Sequence, residues 1–217
     1  TTPTPSSAAS DVYKRQINPL RSNYVSEKVN LQDKNVIDVA CGGGLLVEAL
    51  NKFGANVTGI DISDVAINTA QIHAEKTNCD VTYIHGEAED LLPEKKESFD
   101  VVTCLEAIEH VPDPQQLVKT CSDLCKPGGT IVFSTINRNP KSFLFAIIGA
   151  EYILNLLPKG THEFKKFLKP SELSNMMRNS NLEVKEIIGM SYNPLTKKYW
   201  LGKDVDVNYM IHAEKSK

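Results

Sequence analysis

The residues best suited to chemistry fall into two groups. The first lies in "DVACGGG", Asp38–Gly44, where an apolar β-branched run ends in three glycines. Glycine has no Cβ, so Gly42 and Gly44, spaced G-x-G, let a ligand lie against the main chain. About 20 residues further on stands Asp61, where a carboxylate at the end of the next apolar run can accept both hydroxyls of a ribose. In "IHGEAEDL", Glu87 and Ala88 follow a third such run, where the edge of an adenine would lie. The second group is "CLEAIEHVPDP". Here Glu106, Glu109 and His110 are spaced i, i+3, i+4 and share one face wherever the segment is helical. Two chemistries suit such a set. An imidazole titrating near working pH can take the proton of an attacking hydroxyl. Alternatively, the three side chains can hold a divalent cation, magnesium or another, that lowers the pKa of a hydroxyl and orients it.

These residues need a scaffold that brings them together. Val36–Ala40, Asn56–Ile60, Val81–Ile84, Phe99–Cys104 and Thr130–Thr135 read as strands, with Leu182–Met190 and Val207–His212 closing the set. Helical patterns cover Pro19–Val29, Gly44–Phe53, a segment capped by Ser63 to about Lys76, Pro114–Cys125 and Pro170–Arg178. Lys126–Gly129, "KPGG", reads as a turn. Strands alternating with helices predict an α/β fold, Rossmann-like, with a mostly parallel seven-stranded sheet between helices. Ligands of such sheets bind beyond the carboxyl ends of the strands, where the strand order switches. The glycines, Asp61, Gly86–Glu87 and Leu105–Glu106 all follow strands, so they gather on one rim.

The 217 residues carry a formal net charge of −3 and are 41% hydrophobic, which suits a single domain and leaves no electrostatic footprint for nucleic acid. Five cysteines, odd in number and without a C-x-x-C pair, read as reduced thiols and argue against structural zinc. Thr1–Gln16 has neither periodicity nor the apolar core of a secretory signal. It is set apart as a disordered or artefactual leader before one domain over 17–217, with an insertion at about 138–169. Within the insertion, Ser142–Leu157 carries one charge, Glu151. It falls short of the ~20 apolar residues of a membrane span. A buried helix and an interfacial helix docking on a membrane are both open. Arg138, Lys141, Lys159, Lys165 and Lys166 flank it and suit anionic lipid.

The G-x-G-x-x-G fingerprint of dinucleotide folds is broken at Val47. What remains favours a nucleoside ligand without a diphosphate, with S-adenosylmethionine the leading candidate. The motifs "DVACGGG", "VTGIDIS", "VVTCLEAIEHVPDP" and "LKPGG" resemble the class I S-adenosylmethionine-dependent methyltransferases. From Ile17 to the C-terminus the chain is similar, more narrowly, to the ubiquinone-biosynthesis O-methyltransferases. "INPLR", "STINRNPKSFLFAIIGAEYIL", "PKGTHEFKKFLKPSEL", "YNPL" and "VDVNYM" carry that likeness. The resemblance implies methylation of catechol or phenol hydroxyls on polyprenylated intermediates, at both O-methylation steps of the pathway. It implies that Arg21 reaches the cofactor's methionine carboxylate, that Ala40, Gly42 and Gly44 line the cofactor, that Asp61 holds its ribose and that Leu105 flanks it. Ala40 stands where the family usually has glycine, and Leu105 where methionine is common. Thr161 and His162 are further substrate-site candidates. The expected partners are the polyprenylated catechol, a membrane surface met through 142–157, and a complex of ubiquinone-biosynthesis proteins. The expected location is the cytoplasmic side of an inner membrane, held peripherally, with the mitochondrial matrix side as the alternative. Two rival readings are a methyltransferase with a soluble small-molecule acceptor and a non-catalytic scaffold of a biosynthetic complex.

Overall fold

The computed structural model describes residues 5–142, 164–193, 196 and 198–217. Its strands are β1 (Asn35–Val39), β2 (Asn56–Asp61), β3 (Thr82–His85), β4 (Phe99–Leu105), β5 (Cys125–Ile136), β6 (Leu182–Asn193), β7 (Lys198–Gly202) and β8 (Asn208–Lys215). They form one sheet in the order β3-β2-β1-β4-β5-β8-β6-β7. β1 to β5 are parallel, whereas β8 runs antiparallel to both β5 and β6, and β7 antiparallel to β6. The helices of the described residues are α1 (Pro5–Lys28), α2 (Leu45–Asn51), α3 (Asp64–Thr77), α4 (Leu92–Lys95), α5 (Pro114–Leu124), α6 (Pro140–Ser142) and α7 (Pro170–Asn179). The chain winds outward through β2 and β3 on one side of β1 and through β4 and β5 on the other, so the switch in strand order falls between β1 and β4.

Side chains alternate across the central strands, and the two faces feed two cores. Ile37, Val39, Val102, Cys104, Ile131 and Phe133 pack with Leu117, Cys121, Leu173 and Met177 of α5 and α7. Val36, Val101 and Val132 pack on the other face with Tyr24 and Val25 of α1 and Leu46, Val47 and Leu50 of α2. The period of two therefore puts Asp38 on the face of Val36, under α1, and opposite Thr103 in the register of β1 and β4.

Four details depart from the sequence reading. α1 begins at Pro5, not Pro19, so the segment set aside as a leader has a helical backbone from there. Ala8, Ala9, Lys14, Arg15 and Gln16 are good helix formers and Pro5 suits a first turn, a propensity signal that apolar periodicity does not register. Second, the buried stripe of α1 is Ile17, Arg21, Tyr24 and Val25, while Leu20 is only half-buried. Third, "KPGG" lies within β5, where the pairing steps from Phe99–Cys125 to Val101–Thr130 and Gly128 takes φ +75°. It is a bulge in a longer strand rather than a free turn. Fourth, the sheet has an eighth strand, β7, which pairs with β6 across residues 194–197. Its aromatic residues carried a strand signal, but the segment is five residues long and hard to tell from a loop.

Of the apolar insertion, Ser142 falls within the described residues, whereas 143–157, Thr161 and His162 lie outside them. No helix of the described residues is long and apolar enough to cross a membrane. Arg138, expected beside the insertion as a lipid-facing cation, is paired with Glu172 of α7.

Candidate active site

A cavity of about 280 Å³ opens over the carboxyl ends of β1 and β4, lined by Asn18, Arg21, Asp38, Ala40, Gly42, Gly43, His73, Leu105 and Glu106 among others. Its floor is the glycine turn. A Cβ on Gly42 or Gly43 would meet nothing within 4 Å, so both backbones face open space, and Gly42 takes φ +54°. Gly44 serves a different purpose. It lies outside the cavity lining, and a Cβ there would run into the Tyr83 hydroxyl and approach Cζ to 2.7 Å. Gly59 on β2 meets the same ring at 2.9 Å. These two glycines make the notch that seats Tyr83 behind the turn, so Gly44 shapes the loop from below rather than lining the ligand.

Asp61 fixes the turn from the side. Its Oδ2 accepts from the Gly42 amide at 2.8 Å and its Oδ1 from the Ser63 amide at 2.8 Å. Each carboxylate oxygen keeps a second lone pair for a ligand hydroxyl. The neighbouring Ile62 is 72% exposed and offers an apolar face beside that carboxylate. Glu87 caps the short 3₁₀ turn Ala88–Leu91 in a reciprocal box with Asp90, and Ala88 is buried in the core, so neither lines the cavity. Leu105 lines it, half-buried.

Among the described residues Arg21 is the only arginine or lysine in the lining, and it is carried there on the buried stripe of α1. Asn18, one turn earlier, donates from Nδ2 to the Leu45 carbonyl at 2.8 Å, which ties α1 to the exit of the glycine turn. Facing Arg21 is Asp38, 4% exposed, whose Oδ1 accepts from the Thr103 hydroxyl at 2.6 Å. Burial pushes the Asp38 carboxyl up to about 7; the Thr103 hydrogen bond and the Arg21 charge oppose that rise, and Asp61 adds to it. One cation facing two or three carboxyls suits a zwitterionic head group with one anionic and one cationic end.

Glu106, Glu109 and His110 stand close in sequence but take three environments, half-buried, buried and exposed. Glu106, at φ +57°, turns into the cavity and pairs with Arg21. Glu109 is 2% exposed and its Oε2 accepts from the Thr135 hydroxyl at 2.8 Å. Burial, and then the Glu106 charge, raise its carboxyl to about 7. His110 is exposed, with its amide bonded to the Ala107 carbonyl in a non-helical turn. The shared helical face on which the metal reading rested is therefore absent. Among the described residues no group of three His, Cys, Asp or Glu side chains is placed to hold a metal ion.

The fold is matched by a crystal structure of the magnesium protoporphyrin IX methyltransferase of Synechocystis PCC 6803 with bound S-adenosylhomocysteine. The TM-score is 0.70 at 17% identity, over 100% of this chain and 89% of that one. A family model described as "Methyltransferase domain" matches residues 37–133. A ubiquinone biosynthesis O-methyltransferase of Pseudomonas syringae pv. tomato is 58% identical over 197 residues, covering 91% of this chain and 85% of the relative. One of the same name from Saccharophagus degradans is 54% identical over 200 residues, covering 92% and 85%. The chain belongs to the family of ubiquinone biosynthesis O-methyltransferases.

Three residues of this O-methyltransferase escaped the sequence reading. Asp38 left a signal, a charge in the middle of the buried run "VIDV". Asn18 stands one turn before Arg21 in "INPLR" and could have been paired with it by helical spacing. Asn208, buried at the start of β8, reaches Glu106 across the sheet and left no local signal. Ala40, where glycine is usual in the family, takes φ +58°. That conformation costs an L-residue roughly 1–2 kcal/mol. Net of the extra unfolded-state freedom of glycine, Ala40→Gly should stabilise the chain by about 1 kcal/mol. The expected rise in Tm is roughly 3 °C, read by calorimetry. A lower Tm would show that the turn relaxes around the methyl group.

Proposed function

We infer that this chain is an S-adenosylmethionine-dependent O-methyltransferase of ubiquinone biosynthesis, methylating catechol or phenol hydroxyls of polyprenylated intermediates at both O-methylation steps. The observation that carries this reading is the cavity at the switch point, open above Gly42 and Gly43 and flanked by one guanidinium and two carboxyls, Asp38 buried and Glu106 half-buried. The cofactor fits that lining together with Asp61, bonded to the Gly42 amide beside the cavity, and its neighbour Ile62. Arg21 would take its carboxylate, Asp38 its ammonium, Asp61 its ribose hydroxyls and Ile62 an adenine face. Arg21 Nε is, moreover, a buried donor without a partner. Once bound there, the cofactor supplies an electrophilic methyl group on a sulfonium sulfur.

The chain's own contribution is to position the acceptor and take its proton. Two groups after β4 can accept that proton. His110 is exposed in the turn after β4. Glu109 has a buried Oε1 without a partner and a carboxyl raised to about 7, a value suited to a general base. Glu106, Glu109 and His110 do not converge as a cation site, so no step is routed through a metal. We also propose that Ser142–Leu157 docks the enzyme peripherally on the cytoplasmic side of an inner membrane, or on the matrix side in mitochondria, where a polyprenylated acceptor resides. The apolar composition of the segment supports this.

The test is methyl transfer to a prenylated catechol presented in anionic vesicles, against the same catechol without its prenyl chain. Faster turnover of the prenylated acceptor is expected. Equal turnover would favour a soluble acceptor, and cofactor binding without turnover would favour the scaffold reading.

A further inference from the structure

Arg21 does not face an empty seat. One carboxylate oxygen, Glu106 Oε1, collects Arg21, the Asn208 amide Nδ2 at 2.7 Å and the Ser134 hydroxyl at 3.4 Å. Three donors converging on one anionic oxygen at a cavity wall form a carboxylate receptor, and here the chain's own side chain fills it. The backbone holds Glu106 in place, because its amide is shared between the Ser134 carbonyl at 3.0 Å and the Ser134 hydroxyl at 3.2 Å. The surroundings of this knot are short of partners: Arg21 Nε, Asn208 Oδ1 and Glu109 Oε1 are all buried without a hydrogen bond. Such atoms carry a desolvation cost that a ligand can relieve. Asn208 and Glu109 lie toward β5 and β8, on the side of the knot away from the glycine turn.

We propose that Glu106 is an internal competitor for the cofactor's carboxylate, and that its displacement from Arg21 completes the acceptor side of the site, so that the cofactor binds first. This rests on the reading of the cavity as the cofactor site. The incoming carboxylate takes Arg21. Glu106 moves over with Asn208, whose amide then presents Oδ1 and, with Glu109, receives the acceptor's hydroxyl groups. An acceptor arriving early meets a closed knot.

Calorimetric titration of the full chain and of Glu106→Gln tests this, with two probes. S-adenosylhomocysteine carries the amino-acid carboxylate; 5′-methylthioadenosine is the same nucleoside thioether without it. A neutral amide holds Arg21 less firmly than a carboxylate, so S-adenosylhomocysteine should bind the variant roughly tenfold more tightly. Methylthioadenosine should bind both proteins equally. Weaker or unchanged binding of S-adenosylhomocysteine by the variant would overturn the competition and make Glu106 an ordinary ligand contact. Failure of both probes to bind the unaltered chain would instead remove the cofactor reading on which the proposal stands. A second measurement needs no variant: the affinity of a prenylated catechol should rise at least about tenfold when S-adenosylhomocysteine is present. Equal affinity with and without it would overturn the binding order.

Discussion

Asp61→Ala is expected to weaken S-adenosylhomocysteine binding by at least about 100-fold, on the order of 3 kcal/mol or more. The carboxylate has two tasks. Its free lone pairs would receive the ribose hydroxyls of the proposed cofactor, and a hydrogen bond to a charged group contributes about 1.5–3 kcal/mol. Its other lone pairs hold the amides of Gly42 and Ser63, each at 2.8 Å, which keeps the glycine turn in register with the N-terminus of α3. Alanine removes both, so the loss should exceed that of two hydroxyl contacts. Asp61→Asn separates the tasks. Its one carbonyl oxygen can serve one amide but not both, and its NH₂ would face a second amide donor. Binding by the asparagine variant should therefore fall almost as far, whereas a nearly normal affinity would mean that the turn is held by other contacts. Calorimetric titration reads all three proteins, and the melting temperature without ligand separates a loosened turn from a lost contact.

How far this site could be read in advance depended on whether the signal was local. The strands β1, β2 and β4 and the cap Ser63 were legible because period, cap and turn each lie within a few residues. The same locality made the glycine turn visible and misassigned part of it. Nothing in "CGGGLL" distinguishes Gly42, whose backbone faces the cavity, from Gly44, whose missing Cβ makes room for Tyr83 from β3. The shared helical face after β4 was misread for the opposite reason. Helical spacing grouped Glu106, Glu109 and His110, but positive φ at Glu106 turns that carboxylate toward Arg21, 85 residues back, and Asn208, 102 residues on. A long-range ion pair leaves no periodicity in a sequence. The resemblance named Arg21, which lines the cavity, yet only the packing of α1 shows that a buried stripe delivers it there.

The second large effect should come from Asp38→Asn, and its size depends on pH. In the fold, burial raises the Asp38 carboxyl from an ordinary value near 4 to about 7. In the unfolded chain it titrates near 4. Between those values the folded protein keeps a proton that the unfolded chain has released, so stability falls as pH rises from about 4 to about 7 and stays lower above that. A shift of about 3 units corresponds to about 4 kcal/mol. Asparagine cannot ionise, and its carbonyl oxygen can still accept from Thr103. The variant should match the parent near pH 4 and melt roughly 10 °C higher at pH 8. A constant difference between pH 5 and 8 would rule out this account. The acid is retained, on this reading, because the cofactor's head group brings a cation. Its ammonium would meet Asp38 beside Arg21, restore the ionised form and release a proton. Asp38→Asn should accordingly gain stability while losing cofactor affinity. The proton released by the parent should appear, below pH 7, as a dependence of the measured binding enthalpy on the buffer's ionisation enthalpy. Gain and loss have one cause, a carboxylate kept out of water so that a cation can complete it.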